Sequence, residues 1–143
     1  MKHHGSRFEC GRERDEDLLR AYREQIGDCR VIRMPDVFRA VVEMPSRRFW
    51  VSEERAAVVV AGMLRGDTLE GMRHTKREMF REIFRRFLLF REECPGLTLI
   101  ESVSAVVRQG APRFYLTAGS AKVIFYKIRK ERRARREAAG RRV

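Results

Sequence analysis

The chain has 143 residues and carries 32 Lys and Arg against 20 Asp and Glu, which gives a net charge of +12. This length suits one ordinary domain or two small ones, and the positive charge predicts a polyanionic partner, nucleic acid ahead of an anionic membrane surface. No apolar run reaches the roughly 20 residues of a membrane-spanning helix, and the first residues lack the apolar segment of a secretory signal. Cys10, Cys29 and Cys94 are too widely spaced for a disulfide framework or a zinc site. We therefore expect them to be small buried residues in a reducing cytoplasm.

The first predicted elements are an arm and two helices. Residues 1–14 are polar, basic and without period, which predicts a disordered basic arm. Asp15 can cap a first helix over residues 15–26, whose apolar side chains recur on one face. Pro35 suits the first turn of a second, shorter helix that ends at about residue 42.

An extended segment separates the second and third helices. Residues 47–51 favour extended backbone, and Ser52 is the expected N-cap of a helix that runs through Leu64. Residues 67–74 then form a linker, since Gly66 is a typical residue just past a helix end.

The second half of the chain repeats this order. Thr75 begins a predicted capping box for the most amphipathic helix, residues 76–93. Thr98 begins another capping box and a shorter helix. Residues 113–116 are the second extended segment, and Thr117 is the expected N-cap of the last helix.

An internal repeat supports this division. The segment from Asp36 to Val60 aligns without a gap onto the segment from Glu101 to Phe125, with seven identical pairs. We call the constant difference in residue number between aligned positions, such as Asp36 and Glu101, the repeat offset. A fixed period indicates one structural unit used twice. We therefore predict an all-α fold of two tandem units packed as one body, each a helix, a helix, a short extended segment and a helix. The predicted boundaries are 1–14 for the arm, 15–66 for repeat 1, 67–74 for the linker, 75–128 for repeat 2 and 129–143 for a basic helical extension.

The consecutive helices of each unit suggest a class of protein. Over residues 36–64 and 98–130 their arrangement resembles helix-turn-helix DNA-binding modules, in which the second helix begins at a Ser or Thr cap. The connection between the two helices is longer than the usual three- or four-residue turn.

The basic end gives the strongest indication of a partner. From Lys127 onward there are nine basic residues and two glutamates, a net +7. No helix breaker occurs before Gly140, so we expect the last helix to extend into solvent. Such a rod of cations suits a phosphate backbone, which arginine binds in bidentate fashion. The alternatives are a solvated tail that aids solubility, or contact with an acidic protein or a membrane surface.

The second unit is the better candidate for gripping a phosphate backbone. Ala118 and Gly119 leave room at the start of its last helix, whereas the first unit has two glutamates there. Ser120 and Lys122 are the expected sequence-reading residues. The predicted nucleic-acid contacts are Arg113, Thr117, Ser120, Lys122, Lys127, Arg129, Lys130, Arg132, Arg133, Arg135 and Arg136, with secondary contacts at Arg47, Arg48, Trp50 and Tyr115. A different interpretation is that Arg48 and Arg113 only pair with acids on a neighbouring helix, and that both aromatic rings belong to the core.

Patterns typical of catalysis are missing from the sequence. We find no Gly-rich phosphate loop, no nucleophile elbow and no His, Cys or acid set with metal spacing, so we expect no catalytic residue, metal or cofactor. The sequence predicts a small cytoplasmic DNA-binding protein, a regulator or accessory factor of chromosomal or mobile-element DNA, with double-stranded DNA as partner and no membrane. The alternatives are a protein-interaction or assembly module with a basic tail, and an RNA-binding protein. RNA binding would need Trp50 and Tyr115 exposed for stacking.

Overall fold

A computed structural model describes residues 4–28 and 33–141 of the chain, with side chains at 11–27 and 33–141. These ranges contain six helices and no strand, which confirms the predicted all-α class. The helices are α1 (His4–Asp28), α2 (Met34–Val42), α3 (Glu53–Leu64), α4 (His74–Glu93), α5 (Leu99–Val107) and α6 (Ala118–Gly140). None of the helices in the described ranges combines the length and apolar character that crossing a bilayer requires.

Local side-chain contacts explain where most helices begin. The Ser52 side chain accepts a hydrogen bond from the Arg55 backbone N–H at 3.1 Å, which satisfies a free donor in the first turn of α3. Thr98 and Glu101 form a reciprocal capping box at α5. A proline in the first turn of α2 and Gly66 with φ of 100° after α3 complete the predicted signals.

Two predicted helix starts are wrong. α1 begins at His4 rather than at Asp15, so the predicted disordered arm over residues 1–14 is helical from residue 4 onward, and residues 1–3 lie outside the described ranges. No proline interrupts this stretch, and its charged residues are compatible with a helix. Thr75 is not a cap either, because α4 begins at His74, two residues earlier than predicted, with Arg73 at the N-cap and no side-chain cap.

The cysteines match their prediction only in part. Cys94 is free and partly exposed rather than buried, because it is the C-cap of α4, at a helix end. The side chains of Cys10 and Cys29 lie outside the described residues.

The buried apolar side chains form two clusters. One joins α1, α2 and α6, with Phe38, Phe114 and Phe125 among its buried members. The other joins α3, α4 and α5, with Phe49 and Phe87 fully buried. The third helix in each half of the sequence therefore packs against the first two helices of the other half, and neither half has a complete core of its own.

This exchange overturns the predicted resemblance to helix-turn-helix modules over residues 36–64 and 98–130. Consecutive helices of such a module pack against each other, but in the described residues α2 does not pack on α3 and α5 does not pack on α6. Instead, α2 packs on α6 and α5 packs on α3. The physical reason is the connection over residues 43–52, which carries the chain from one cluster to the other.

The connection over residues 43–52 passes beside the second connection, residues 108–117, which joins α5 to α6. Ser46 and Ala111 exchange both backbone hydrogen bonds, each at 3.0 Å, in an antiparallel bridge. On either side, the Phe49 N–H donates to the carbonyl of Val107 and the Phe114 N–H donates to that of Val42, both at 3.0 Å. These bonds hold Phe49 and Phe114 at the points where each connection enters the opposite cluster.

Candidate nucleic-acid interface

One face of α6 anchors the helix to the body of the protein. Ala121, Phe125 and Ile128 are spaced along that face and are buried. The ring of Phe125 lies 4.1 Å from that of Tyr22 and 5.5 Å from that of Phe38, measured between centroids. This packing fixes the direction of α6, so that its last turns continue beyond the core.

The part of α6 beyond Ile128 lies at the surface. Every residue from Arg129 to Arg141 is exposed except Arg132, which is partly buried. No ion pair joins the basic residues of α6 to a carboxylate of the described residues, and Arg129 makes only a contact over the Phe125 ring at 5.8 Å. The predicted contacts that share this open setting are Lys122, Lys127, Arg129, Lys130, Arg133, Arg135 and Arg136.

The start of α6 has the predicted cap. The Thr117 side chain accepts from the Ser120 backbone N–H at 3.1 Å, and the Thr117 hydroxyl donates to the Ser120 hydroxyl at 2.9 Å. Both residues are exposed, and a Cβ at Gly119 would meet nothing within 4 Å. The first turn is therefore open to solvent, and its polar side chains are engaged with each other.

Arg113 does not offer a free cation at that end. Its Nη1 lies 3.7 Å from a carboxylate oxygen of Glu43 and 3.7 Å from one of Glu78, and its guanidinium lies over the Tyr115 ring at 5.9 Å. Two carboxylates thus offset its charge. The contacts of Arg113 therefore match the alternative interpretation of the sequence, in which this arginine pairs with acids of neighbouring elements.

The secondary residues Arg47, Arg48 and Trp50 lie elsewhere. Together with Glu13, Glu16 and Arg108 they line a shallow depression of about 270 Å³, to which α6 contributes no residue. The Arg48 guanidinium donates to the backbone carbonyls of Phe49 and Val51 and covers the Trp50 ring at 5.4 Å. The two glutamates repel an anion, so this depression is less suited to holding a phosphate than a surface that carries cations alone.

The two aromatic rings are poor platforms for stacking. Trp50 and Tyr115 are each partly buried and each has an arginine over the ring. Burial raises the pKa of the Tyr115 hydroxyl, with Glu82 acting in the same direction. Tyr115 also has φ of 57°, so the backbone there is left-handed rather than the extended conformation the sequence predicted.

Sequence reasoning missed a buried carboxylate next to these residues. Asp17 is fully buried. One of its oxygens accepts from Arg20 at 2.9 and 2.6 Å. The other accepts from the Arg47 backbone N–H at 2.8 Å and from Trp50 Nε1 at 3.1 Å. A signal was present, because Glu82 and Arg85 stand one repeat offset after Asp17 and Arg20 and keep the same spacing.

Sequence reasoning also missed two apolar residues on the outer face of α6. Val123 is 70% exposed and Tyr126 is 44% exposed, although valine is among the residues most often buried and tyrosine is usually at least partly buried. The sequence of α6 has apolar residues on more than one face from Val123 to Ile128, so periodicity did not reveal which of them point outward.

Glu82 leads to a testable prediction about acid stability. Its carboxylate accepts from Arg85 at 2.9 and 2.7 Å and from Arg86 at 2.7 Å. The hydrogen bond from Arg85, followed by that from Arg86, lowers the pKa of Glu82 below its ordinary value, against the opposing effect of partial burial. A carboxylate with a lowered folded-state pKa stabilises the protein above its unfolded pKa and loses that contribution as the pH falls through the folded value.

Glu82→Gln is therefore expected to flatten the acid limb of the stability curve. Urea unfolding measured from pH 6 down to pH 3 should show a smaller loss of free energy for the variant than for the wild type. Glu131→Gln, at an exposed position without an ion pair in the described residues, is the matched control and should follow the wild type. An unchanged slope in Glu82→Gln would contradict the assignment.

Comparison of the chain with protein-family models, curated proteins and solved structures found no match. Among the described residues, no three His, Cys, Asp or Glu side chains are grouped so that they could hold a metal ion. The candidate interface is therefore α6 itself, a helix buried along one face, with exposed cations and the apolar pair Val123 and Tyr126 on its other faces.

Proposed function

We propose that this protein is a small cytoplasmic DNA-binding protein that grips the phosphate backbone of duplex DNA with α6. The observation that carries the proposal is that the basic residues of α6, all exposed except the partly buried Arg132, have no carboxylate partner among the described residues. Cations held on a rigid helix and left unpaired by their own protein attract a polyanion, and each neutralised phosphate releases counterions. A role as a regulator or accessory factor of chromosomal or mobile-element DNA belongs to the same proposal.

The basic residues of α6 differ in their pairing from other basic residues of the described ranges. Arginine and lysine elsewhere in the described residues are often paired, as Arg20, Arg85 and Arg108 are with Asp17, Glu82 and Glu53. A tail that served solubility alone would not need a helix fixed to the core by Phe125 and Ile128. Because the direction of α6 is fixed, several of its cations can contact one phosphate backbone at the same time. The α-helix rises about 1.5 Å per residue, so these cations are spaced along the helix axis.

We further propose that the chain consists of two related units that exchange their third helices. Supporting this, the first and last residues of α2 and α5 differ by the repeat offset, and so do the first residues of α3 and α6. The bridged residues Ser46 and Ala111 are separated by the same interval. In this arrangement α6 is presented by α1 and α2 of the first unit, so the first unit is the platform and α6 is the contact element. The proposed boundaries of the units remain 15–66 and 75–128.

Duplex DNA is favoured over single-stranded RNA. Single-strand recognition relies on several bases stacked on exposed aromatic rings. Trp50 and Tyr115, the rings expected to serve in this way, are partly buried under Arg48 and Arg113, and α6 offers a single exposed ring, that of Tyr126. A duplex needs only cations spaced along its backbone.

Replacing three exposed arginines of α6 tests the proposal. The variant Arg133→Gln, Arg135→Gln and Arg136→Gln keeps the helix propensity nearly unchanged while it removes three charges. Binding to a fluorescent 20-base-pair duplex is measured by anisotropy at several salt concentrations. If each arginine contacts one phosphate, the slope of log affinity against log salt should fall by about 2.7, with a loss of affinity on the order of tenfold or more at low salt.

The control removes the same charge from another surface. Arg55, Arg65 and Arg81 are exposed, have no ion pair in the described residues and lie on or beside α3 and α4, which do not pack on α6. Their replacement by Gln should leave the salt slope close to that of the wild type. Equal effects of the two triple variants would show that only net charge matters, and an absence of wild-type binding to any duplex would refute the proposal. Tighter binding to a single-stranded RNA of equal length would favour the RNA alternative.

A further inference from the structure

The outer face of α6 is apolar at its centre and basic at its edges. Val123 and Tyr126 lie opposite the buried face of Ala121, Phe125 and Ile128, because residues three or four apart share one side of a helix. Lys130 continues the same outer line. Lys122 and Arg129 lie on one edge of this line and Lys127 on the other, as a rotation of about 100° per residue requires.

Tyr126 is held in place at its base. Its ring lies 5.7 Å from that of Phe125 in an edge-on arrangement and 6.5 Å from that of Phe38. The side chain is nevertheless 44% exposed, so the contacts fix its direction without covering it. An oriented aromatic ring and an exposed valine form a small apolar surface that is already in position before any partner binds.

The equivalent helix of the other half shows that this combination is not a general property of the fold. Val58 of α3, one repeat offset before Val123, is 63% exposed. At the positions of Lys122, Tyr126, Lys127 and Arg129, however, α3 has Ala57, Ala61, Gly62 and Leu64. Glu53 and Glu54 stand at its start, where α6 has Ala118 and Gly119. Within one turn of its exposed valine, α3 has one cation, Arg55, whereas α6 has Lys122 and Lys127.

We propose that the outer face of α6 enters the major groove of duplex DNA and reads thymine-containing steps through Val123 and Tyr126. The inference rests on the proposed function and adds sequence readout to it. In the major groove thymine presents a 5-methyl group, which apolar side chains contact. Lys122, Arg129 and Lys127 then lie on both sides of the apolar centre, where the phosphates of the two strands border the groove.

The dimensions are compatible with this docking. Lys130 follows Val123 by seven residues, which corresponds to about 10 Å along the helix at a rise of 1.5 Å per residue. That length corresponds to about three base pairs at 3.4 Å each, and the groove is about 12 Å wide. A protein groove or membrane surface is a poorer fit, because it requires an apolar stripe over several turns, whereas this face continues with Lys130 and Arg133.

The experiment selects preferred duplexes from a random pool with the full chain and then compares the selected duplex with a scrambled one by anisotropy. Wild type is expected to prefer the selected duplex by tenfold or more. Val123→Ala and Tyr126→Ala should each lower that preference at least fivefold while they leave affinity for the scrambled duplex within about twofold. Uracil in place of thymine in the selected core should produce a similar loss, since it removes only the methyl group.

Val58→Ala is the matched control, the same substitution at an exposed valine of α3, and it should change neither affinity. If Tyr126→Ala lowers helicity by circular dichroism, Val123→Ala and the uracil duplex decide the question. Salt-sensitive binding without any sequence preference would overturn this inference and leave the proposed function standing. A preference that survives both variants and the uracil duplex would also overturn it, and no duplex binding at all would remove the proposed function as well.

Discussion

Asp17→Ala is expected to lower the free energy of unfolding by about 2–4 kcal/mol, because an N–H donor left without its acceptor costs about 1–3 kcal/mol and the substitution leaves two. The carboxylate is fully buried and accepts four hydrogen bonds, two from Arg20 and one each from the Arg47 backbone and Trp50. Alanine leaves the Trp50 and Arg47 N–H groups without an acceptor and Arg20 without its buried counter-charge. The measurement is urea unfolding followed by circular dichroism and by the fluorescence of the chain's one tryptophan.

Two further variants separate the charge from the packing. Asp17→Asn keeps the shape and one acceptor oxygen but turns an NH₂ group toward a donor, so a smaller loss of about 1–3 kcal/mol is expected. Glu82→Ala removes the acid at the equivalent position of the second half, where the side chain is 20% exposed, and should cost about 1 kcal/mol. The central role of Asp17 would be refuted if Asp17→Ala were no more destabilising than Glu82→Ala.

Cutting the chain between Glu70 and Gly71 is expected to abolish folding of either part alone. Fragment 1–70 retains α1, α2 and α3, but the buried residues Val59 and Val60 of α3 pack against α4 and α5. Fragment 71–143 retains α4, α5 and α6, but Phe125 and Ile128 pack against α1 and α2. Exposing a large buried side chain costs about 1.5–3 kcal/mol, and each fragment exposes several, against a total stability of about 5–15 kcal/mol for a domain.

An equimolar mixture of the two fragments should regain helicity and a cooperative unfolding transition. Circular dichroism gives the signal, and sedimentation distinguishes a one-to-one complex from self-associated fragments. The control is the chain ended after Ile128, which keeps all the buried residues of α6 and should unfold as cooperatively as the full chain. A monomeric fragment with a cooperative transition of its own would contradict the exchange of the third helices.

The local elements were largely predictable because their signals act over a few residues. The hydroxyls of Ser52, Thr98 and Thr117 each satisfy a backbone N–H three residues later, and such a bond does not depend on the rest of the fold. The wrong predictions at Thr75 and Asp15 also concern signals that act over a few residues. In each case backbone that precedes the expected cap is also helical, and no residue there forbids a helix.

The candidate site was predicted in outline. The run of cations after Lys127 indicated an exposed basic helix, because so many like charges cannot be buried without partners. Arg113 was a different case, since whether Glu43 and Glu78 approach its guanidinium depends on how α2 and α4 lie relative to the second connection. Asp17 was missed because a single acid in a helix gives no sign that Arg47 and Trp50 will close over it.

The amino-acid sequence by itself determined that this protein is helical, where most of its helices start and that its charge gathers at the carboxyl end, since capping bonds, periodicity and composition are local properties. Only the tertiary structure decided that α6 lies on α1 and α2 while α3 lies on α4 and α5. Apolar periodicity specifies that a helix has a face to bury but not which partner buries it, and the antiparallel crossing at Ser46 and Ala111 is what directs each third helix to the opposite cluster. The same packing left Val123 and Tyr126 outside, among the cations of α6.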